Sequence, residues 1–156
     1  MKHLIMLFSL LLLPFALFSQ GRFYLGNSTY TSDILFTYNQ GNVYQGNSTY
    51  TSDILYTFAS SGKIYKGRST YSSDFLAMFD GKYLYDSPSG YTSDILLTWK
   101  DGHVYQGRST YTSDILLTIR DNKVYRGNST YTSDIMYRWT GMIPISAIII
   151  MAYTAM

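Results

Sequence analysis

Six copies of one short segment hold most of the side chains that could do chemistry in this chain. The segment reads Ser-Thr-Tyr-Thr-Ser-Asp at residues 48–53, and close variants end on Asp33, Asp74, Asp94, Asp114 and Asp134. A ring of carboxylates could hold calcium, which takes about six to eight oxygen ligands. A local calcium site, however, draws several acidic residues from one stretch, and each copy here supplies one. Paired carboxylates could cleave glycosidic bonds, but the acid and its partner must sit in unlike environments and these Asp are equivalent by repetition. A Ser-His-Asp set has no basis for choice either, because Ser and Asp recur as symmetric copies. His103 is the sole histidine beyond His3, and it stands beside Gly102 as a solvated turn residue would. No Gly-rich phosphate loop follows a strand and opens a helix. The absence of cysteine removes thiolate chemistry, disulfides and lipid attachment at cysteine. The expectation is a non-enzyme with no catalytic residue, cofactor or metal, whose Ser, Thr and Asp stabilise turns by bonding nearby amides. The Asn-Ser-Thr triplets at Asn27, Asn47 and Asn128 read as turn asparagines in the same way. What the copies do offer is six aromatic faces flanked by small hydroxyls: Tyr30, Tyr50, Tyr71, Tyr91, Tyr111 and Tyr131. These are the candidate interaction surface, on which a glycan would gain by avidity. The alternative is that the rings pack at strand edges.

The copies recur at about twenty residues, a spacing that marks repeat architectures. One unit, from Asp94 to Gly107, shows how each is built. Ile95, Leu97 and Trp99 share one parity, and Asp94, Leu96, Thr98 and Lys100 the other, as a strand with two unequal faces requires. If the Ile and aromatic parity faces the core, Leu35, Leu55, Leu76, Leu96 and Leu116, with Met136, form an outward apolar band fit for lipid contact. Asp101-Gly102 then supplies a type I′ turn, and Gln40-Gly41, Ser61-Gly62, Asp80-Gly81 and Asp121-Asn122 repeat that chemistry. On the return strands Tyr24, Tyr44, Tyr65, Tyr85, Tyr105 and Tyr125 recur at one position, with Gln45, Lys66, Asp86, Gln106 and Arg126 on the opposite, solvent-facing side. The tyrosines are expected to point inward or to lie between sheets.

Five hairpins are complete, and a half-unit is left at each end, at 22–26 and 135–139. Those orphan strands can pair only if the ends of the chain meet. The fold class is therefore all-β: a closed, pseudo-symmetric antiparallel barrel of about twelve repeated hairpin strands, which removes exposed edges. A β-solenoid of one coil per unit conflicts with the reversing turns. Such a barrel is too wide for strand side chains to fill, and residues 142–156 are apolar nearly all round. They are expected to form a helix packed in the centre. The β-branched run Ile148 to Ile150 leaves a closing strand as the alternative.

Residues 1–19 read as a signal peptide: Lys2, an apolar run from Leu4 to Leu13, and a cut after Ser19. An uncleaved membrane anchor is the alternative reading. Residues 20–141 are then the barrel, in an exported protein placed in the periplasm, at the outer membrane or outside the cell. Loss of Lys2 takes the formal charge from +2 to +1, so a nucleic-acid partner is not expected and an acidic surface finds little to attract.

With the repeat laid out, the chain resembles the β-flower proteins, shallow symmetric barrels of hairpin petals related in shape to the tubby C-terminal domain. The matching residues include Tyr44-Gln45-Gly46, Ser48-Thr49-Tyr50 and Asp53-Ile54-Leu55, together with the apolar tail, over about residues 22–156. Five complete hairpins suggest the five-fold type. The tubby-like relatives imply lipid or membrane association through a barrel holding an apolar helix, although no basic cluster matches their phosphoinositide site. The Phe18-Ser19-Gln20 ending is similar to signal peptides of Bacteroidota.

Overall fold

The computed structural model describes residues 20–156, and the expected signal peptide at 1–19 lies outside the described residues. Twelve strands follow one another: β1 (Gly21–Leu25), β2 (Ile34–Asn39), β3 (Asn42–Gln45), β4 (Ile54–Phe58), β5 (Lys63–Lys66), β6 (Phe75–Phe79), β7 (Tyr83–Tyr85), β8 (Ile95–Lys100), β9 (His103–Gln106), β10 (Ile115–Arg120), β11 (Lys123–Arg126) and β12 (Ile135–Thr140). One helix, α1 (Ile145–Thr154), ends the chain. Every strand pairs antiparallel with its neighbours in sequence. The two orphan strands meet as expected, with Arg22 opposite Thr140 and Phe23 opposite Trp139, which closes the barrel.

Turn chemistry sets the hairpins. Gln40 and Gly41 have φ of 48° and 82°, Asp101 and Gly102 50° and 81°, and Asp121 and Asn122 51° and 57°, the paired positive values of a type I′ turn. Ser61-Gly62 and Asp80-Gly81 depart from this, with only their glycines at positive φ. At the latter turn the Asp80 carboxylate accepts the Lys82 amide at 2.8 Å and the Tyr83 amide at 2.7 Å. It also accepts the Tyr85 hydroxyl at 2.8 Å.

The expected strand parity is broken at one place per unit. Opposite β9, Tyr105 pairs with Ile115 but Val104 with Leu117, so Leu116 is surplus. The same slip leaves Leu35, Leu55, Leu76, Leu96 and Met136 surplus in their strands. Each is a β-bulge, and a bulge lets side chains on either side of it swap faces. Leu97, Leu117 and Tyr137 join the central core, together with Phe23, Val43, Ile64, Leu84, Val104 and Val124 from the return strands. Ile95 and Ile115 do not, and Ile34 is buried yet lies outside that core. The expected outward band is corrected: Leu35, Leu76, Leu96, Leu116 and Met136 are partly buried and pack against the core, and Leu55 is not among them. The return-strand tyrosines are buried, at 5–9% exposure, but alternate with the inward valines and so line the outer face opposite the isoleucines.

The apolar tail is a helix, not a closing strand. Pro144 stands just before it, and its carbonyl accepts the amides of Ala147 and Ile148. Six consecutive residues from Ala147 to Ala152 are buried, so no side of this stretch meets water, as befits a central plug. Ten residues span about 15 Å, enough to run from one rim to the other of strands this short. Polar bonds finish its far end, where the Tyr137 hydroxyl donates to the Ala155 carbonyl at 2.8 Å and the Thr154 hydroxyl to that of Ile150 at 2.8 Å.

Ile149 is 2% exposed. Its replacement by Ala should cost about 2–5 kcal/mol in denaturant unfolding. Tyr153→Ala on the exposed last turn should stay within about 0.5 kcal/mol. Equal, small effects would contradict a buried plug. The Asp80 hydrogen bond, followed by burial, pushes the Tyr85 phenol up to about 12. A phenol raised in the folded state adds stability that is fully present below its ordinary value near 10 and is lost as pH rises through 12. Ultraviolet titration should show one phenol ionising last, and Asp80→Asn should bring it down. A final step that survives Tyr85→Phe would contradict this.

Candidate functional site

The strands put all six tyrosine-bearing linkers at one rim and all hairpin turns at the other, because each linker joins a return strand to the next outgoing strand. At five of the linkers the chain leaves the barrel through a glycine at positive φ, for example Gly46 at 56°. The Gly46 amide donates to the Leu35 carbonyl at 2.8 Å, and the Thr37 hydroxyl donates to the Gly46 carbonyl at 2.7 Å. Thr57, Thr98 and Thr118 repeat that hydroxyl contact at Gly67, Gly107 and Gly127.

Beyond the glycine each linker folds on itself. In the second copy the Tyr50 amide donates to the Ser48 hydroxyl oxygen at 3.1 Å, Ser48 donates to Asp53 at 2.5 Å, and Ser52 donates to the other oxygen of Asp53 at 2.9 Å. Ser28–Asp33, Ser109–Asp114 and Ser129–Asp134 repeat the Ser–Asp bond. A short 3-10 turn such as Thr51–Asp53 then leads into the outgoing strand. Hydrogen bonds from Ser48 and then Ser52 hold the Asp53 carboxyl below its usual value, and Ser87 and then Ser93 do the same for Asp94. These carboxylates are thus engaged as turn locks. Among the described residues no group of three or more His, Asp or Glu is placed to hold a metal ion.

The locks fix the tyrosine backbone and leave its ring in solvent. Tyr30, Tyr50, Tyr71, Tyr91, Tyr111 and Tyr131 are 68–77% exposed, whereas the strand-edge alternative would have them packed. The structure therefore brings all six candidate residues to one rim as a crown of aromatic faces. Beside the sixth linker a cavity of about 450 Å³ opens where the helix ends, lined by Arg126, Ser133, Asp134, Tyr137 and Met156. Sequence reading missed this opening, since Tyr137 and Met156 come together only when the plug is seated.

Two other expectations change. His103 is half-buried rather than solvated, opposite Thr118 on the outer face, and its Nδ1 is buried without a hydrogen-bond partner. The fourth linker departs from the pattern, because Ser87 replaces the exit glycine. There the Asp86 amide bonds the Asp94 carbonyl at 3.0 Å, and Ser87 and Ser89 both donate to the Asp94 carboxylate. Tyr91 still reaches solvent, at 68% exposure.

Residues 23–151 match the family model of the 6-fold beta flower proteins. No curated protein and no solved structure matches the chain. The five-fold count suggested by the sequence is corrected: it took complete hairpins alone and left out the petal that β12 and β1 build across the seam. With six linkers around twelve strands closed into one barrel, and a match across most of its length, the chain belongs to the six-fold beta flower family.

Proposed function

We propose that the protein is a non-enzymatic interaction module of the bacterial cell envelope that binds glycans through its crown of tyrosines. One observation carries this reading: six large aromatic side chains, each about three-quarters exposed, are held at one rim by a repeated hydrogen-bonded turn. Leaving an aromatic ring in water forgoes its burial, so six equivalent exposures in otherwise well-packed units favour a contact surface. Flat faces flanked by hydroxyls suit the apolar face and hydroxyl edge of a sugar ring, and tyrosine offers both. Equivalent sites also suit a polymer of repeating units, because the second and later contacts are intramolecular.

Lipid contact through an outward leucine wall loses most of its motive, since five of the six side chains, all but Leu55, pack against the core. A tubby-like shape is part of the same proposal and is supported by the apolar helix within the barrel. Placement in the envelope rests on the reading of residues 1–19 as an export signal. The absence of catalytic function in this proposal is supported by the Ser–Asp bonds, which occupy equivalent carboxylates in equivalent surroundings.

Glycan arrays should show binding to polysaccharides and little to the matching monosaccharides. Tyr111→Ala, at an exposed site that leaves stability within about 0.5 kcal/mol, should weaken a polymer hit roughly two- to ten-fold. Tyr30→Ala/Tyr71→Ala/Tyr111→Ala together should abolish it. Unchanged binding of the triple variant, or an array without signal, would overturn the proposal.

A further inference from the structure

The small net charge of the chain hides a separation of charge along the barrel. At the linker end Lys66, Arg68, Arg108 and Arg126 stand against the six linker Asp and Asp86. At the turn end the balance reverses, with seven Lys and Arg against only Asp80, Asp101 and Asp121. The helix adds to the same polarity: its amide end, the positive pole, lies at the turn end and its carbonyl end at the linker end.

Four of the seven turn-end cations gather at one corner. Arg120 lies directly opposite Lys123, and Lys123 directly opposite Arg138. Arg138 in turn faces Tyr24, two residues along the same face from Arg22. All four share the outer face over the adjacent strands β10, β11, β12 and β1, because they alternate with the inward residues Ile119, Val124, Tyr137 and Phe23. Like charges directly opposed across strands destabilise a sheet. Only Asp121 answers them: its contact with Arg120 at 3.1 Å is the one ion pair among the described residues, and both partners are largely exposed. Arg138 also stands where Thr37, Thr57, Thr98 and Thr118 tie down the exit glycine, so this copy gives up that hydrogen bond as well.

Two further features meet at this corner. Met142, just past β12, is 73% exposed. The described chain begins beside it, with Ile143 packed against Gly21.

We propose that this corner docks the barrel on an anionic lipid bilayer, with Arg22, Arg120, Lys123 and Arg138 over the phosphate headgroups, Met142 entering the interface and the tyrosine crown turned away. Clustered surface cations are attracted to such bilayers, whereas a soluble polyanion gives no use to an exposed methionine beside them. This runs against the expectation from net charge that an acidic surface would find little to attract. The proposal is independent of the glycan reading, which concerns the opposite rim.

The test is co-sedimentation of the mature chain, residues 20–156, with vesicles of phosphatidylcholine alone or mixed with phosphatidylglycerol, read as the ratio of anionic to neutral binding. The ratio should exceed one, fall with added salt, and drop about five-fold for each cation removed, hence about 25-fold in Lys123→Gln/Arg138→Gln. Arg68→Gln/Arg108→Gln at the linker end should leave it unchanged. Arg138→Thr should lower the ratio while raising the melting temperature about 2–4 °C, since it relieves repulsion and restores the threonine bond. A ratio of one, a ratio insensitive to Lys123 and Arg138, or capture by heparin without preference for anionic vesicles would each overturn the proposal.

Discussion

One surplus residue per petal decides what this barrel contains. Without the bulge at the leucine position, strict alternation would keep Ile115, Leu117 and Ile119 on one face and send Leu116 to the other. With it, Leu117 and Ile119 reach the centre, Leu116 leans in beside them, and Ile115 moves outside against Tyr105. The inner face thereby exchanges Ile115 for Leu116 beside Leu117 and Ile119. The extra local twist of a bulge also suits strands that must curve into a ring.

Closure and plug depend on each other. Twelve short strands enclose more space than their own side chains fill, and an apolar ten-residue helix has no stable place in water. Seating the helix inside solves both problems. The seam is marked by Phe23, fully buried, whose ring lies 5.1 Å from that of Tyr137, the residue that also holds the helix end. Tyr137, at the position held by Phe36, Tyr56, Ala77, Leu97 and Leu117 in the other copies, meets both the seam and the plug.

Much of this was legible in the sequence because repetition averages out local noise. Turn dipeptides fixed the hairpins, two half-units demanded a ring, and a uniformly apolar tail called for an enclosed helix. The face assignments failed at one identifiable step. Alternation was read through Ile95, Leu97 and Trp99 as if the strand were regular, whereas a bulge carries no residue signature when its extra member is an ordinary leucine. The aromatic crown was nameable residue by residue, but its exposure was not, since Tyr44 and Tyr50 look alike in sequence and differ in burial. The basic corner was invisible for another reason: Arg120, Lys123 and Arg138 stand singly in the sequence and meet only through strand pairing, and Arg22 joins them only once the ring is closed.

The two ends of the barrel are thereby chemically distinct, an acidic crown of tyrosines and a basic corner near the start of the chain. The bulge sets which residues of every outgoing strand look outward, Arg120 and Arg138 of the basic corner among them. Methyl nuclear Overhauser contacts test that register most directly. The account predicts contacts from the methyls of Leu97, Val104 and Leu117 to Ile149 and Met151 of the helix, with none from Ile95 or Ile115. Contacts from Ile95 and Ile115 to the helix, with Leu97 and Leu117 silent, would contradict it.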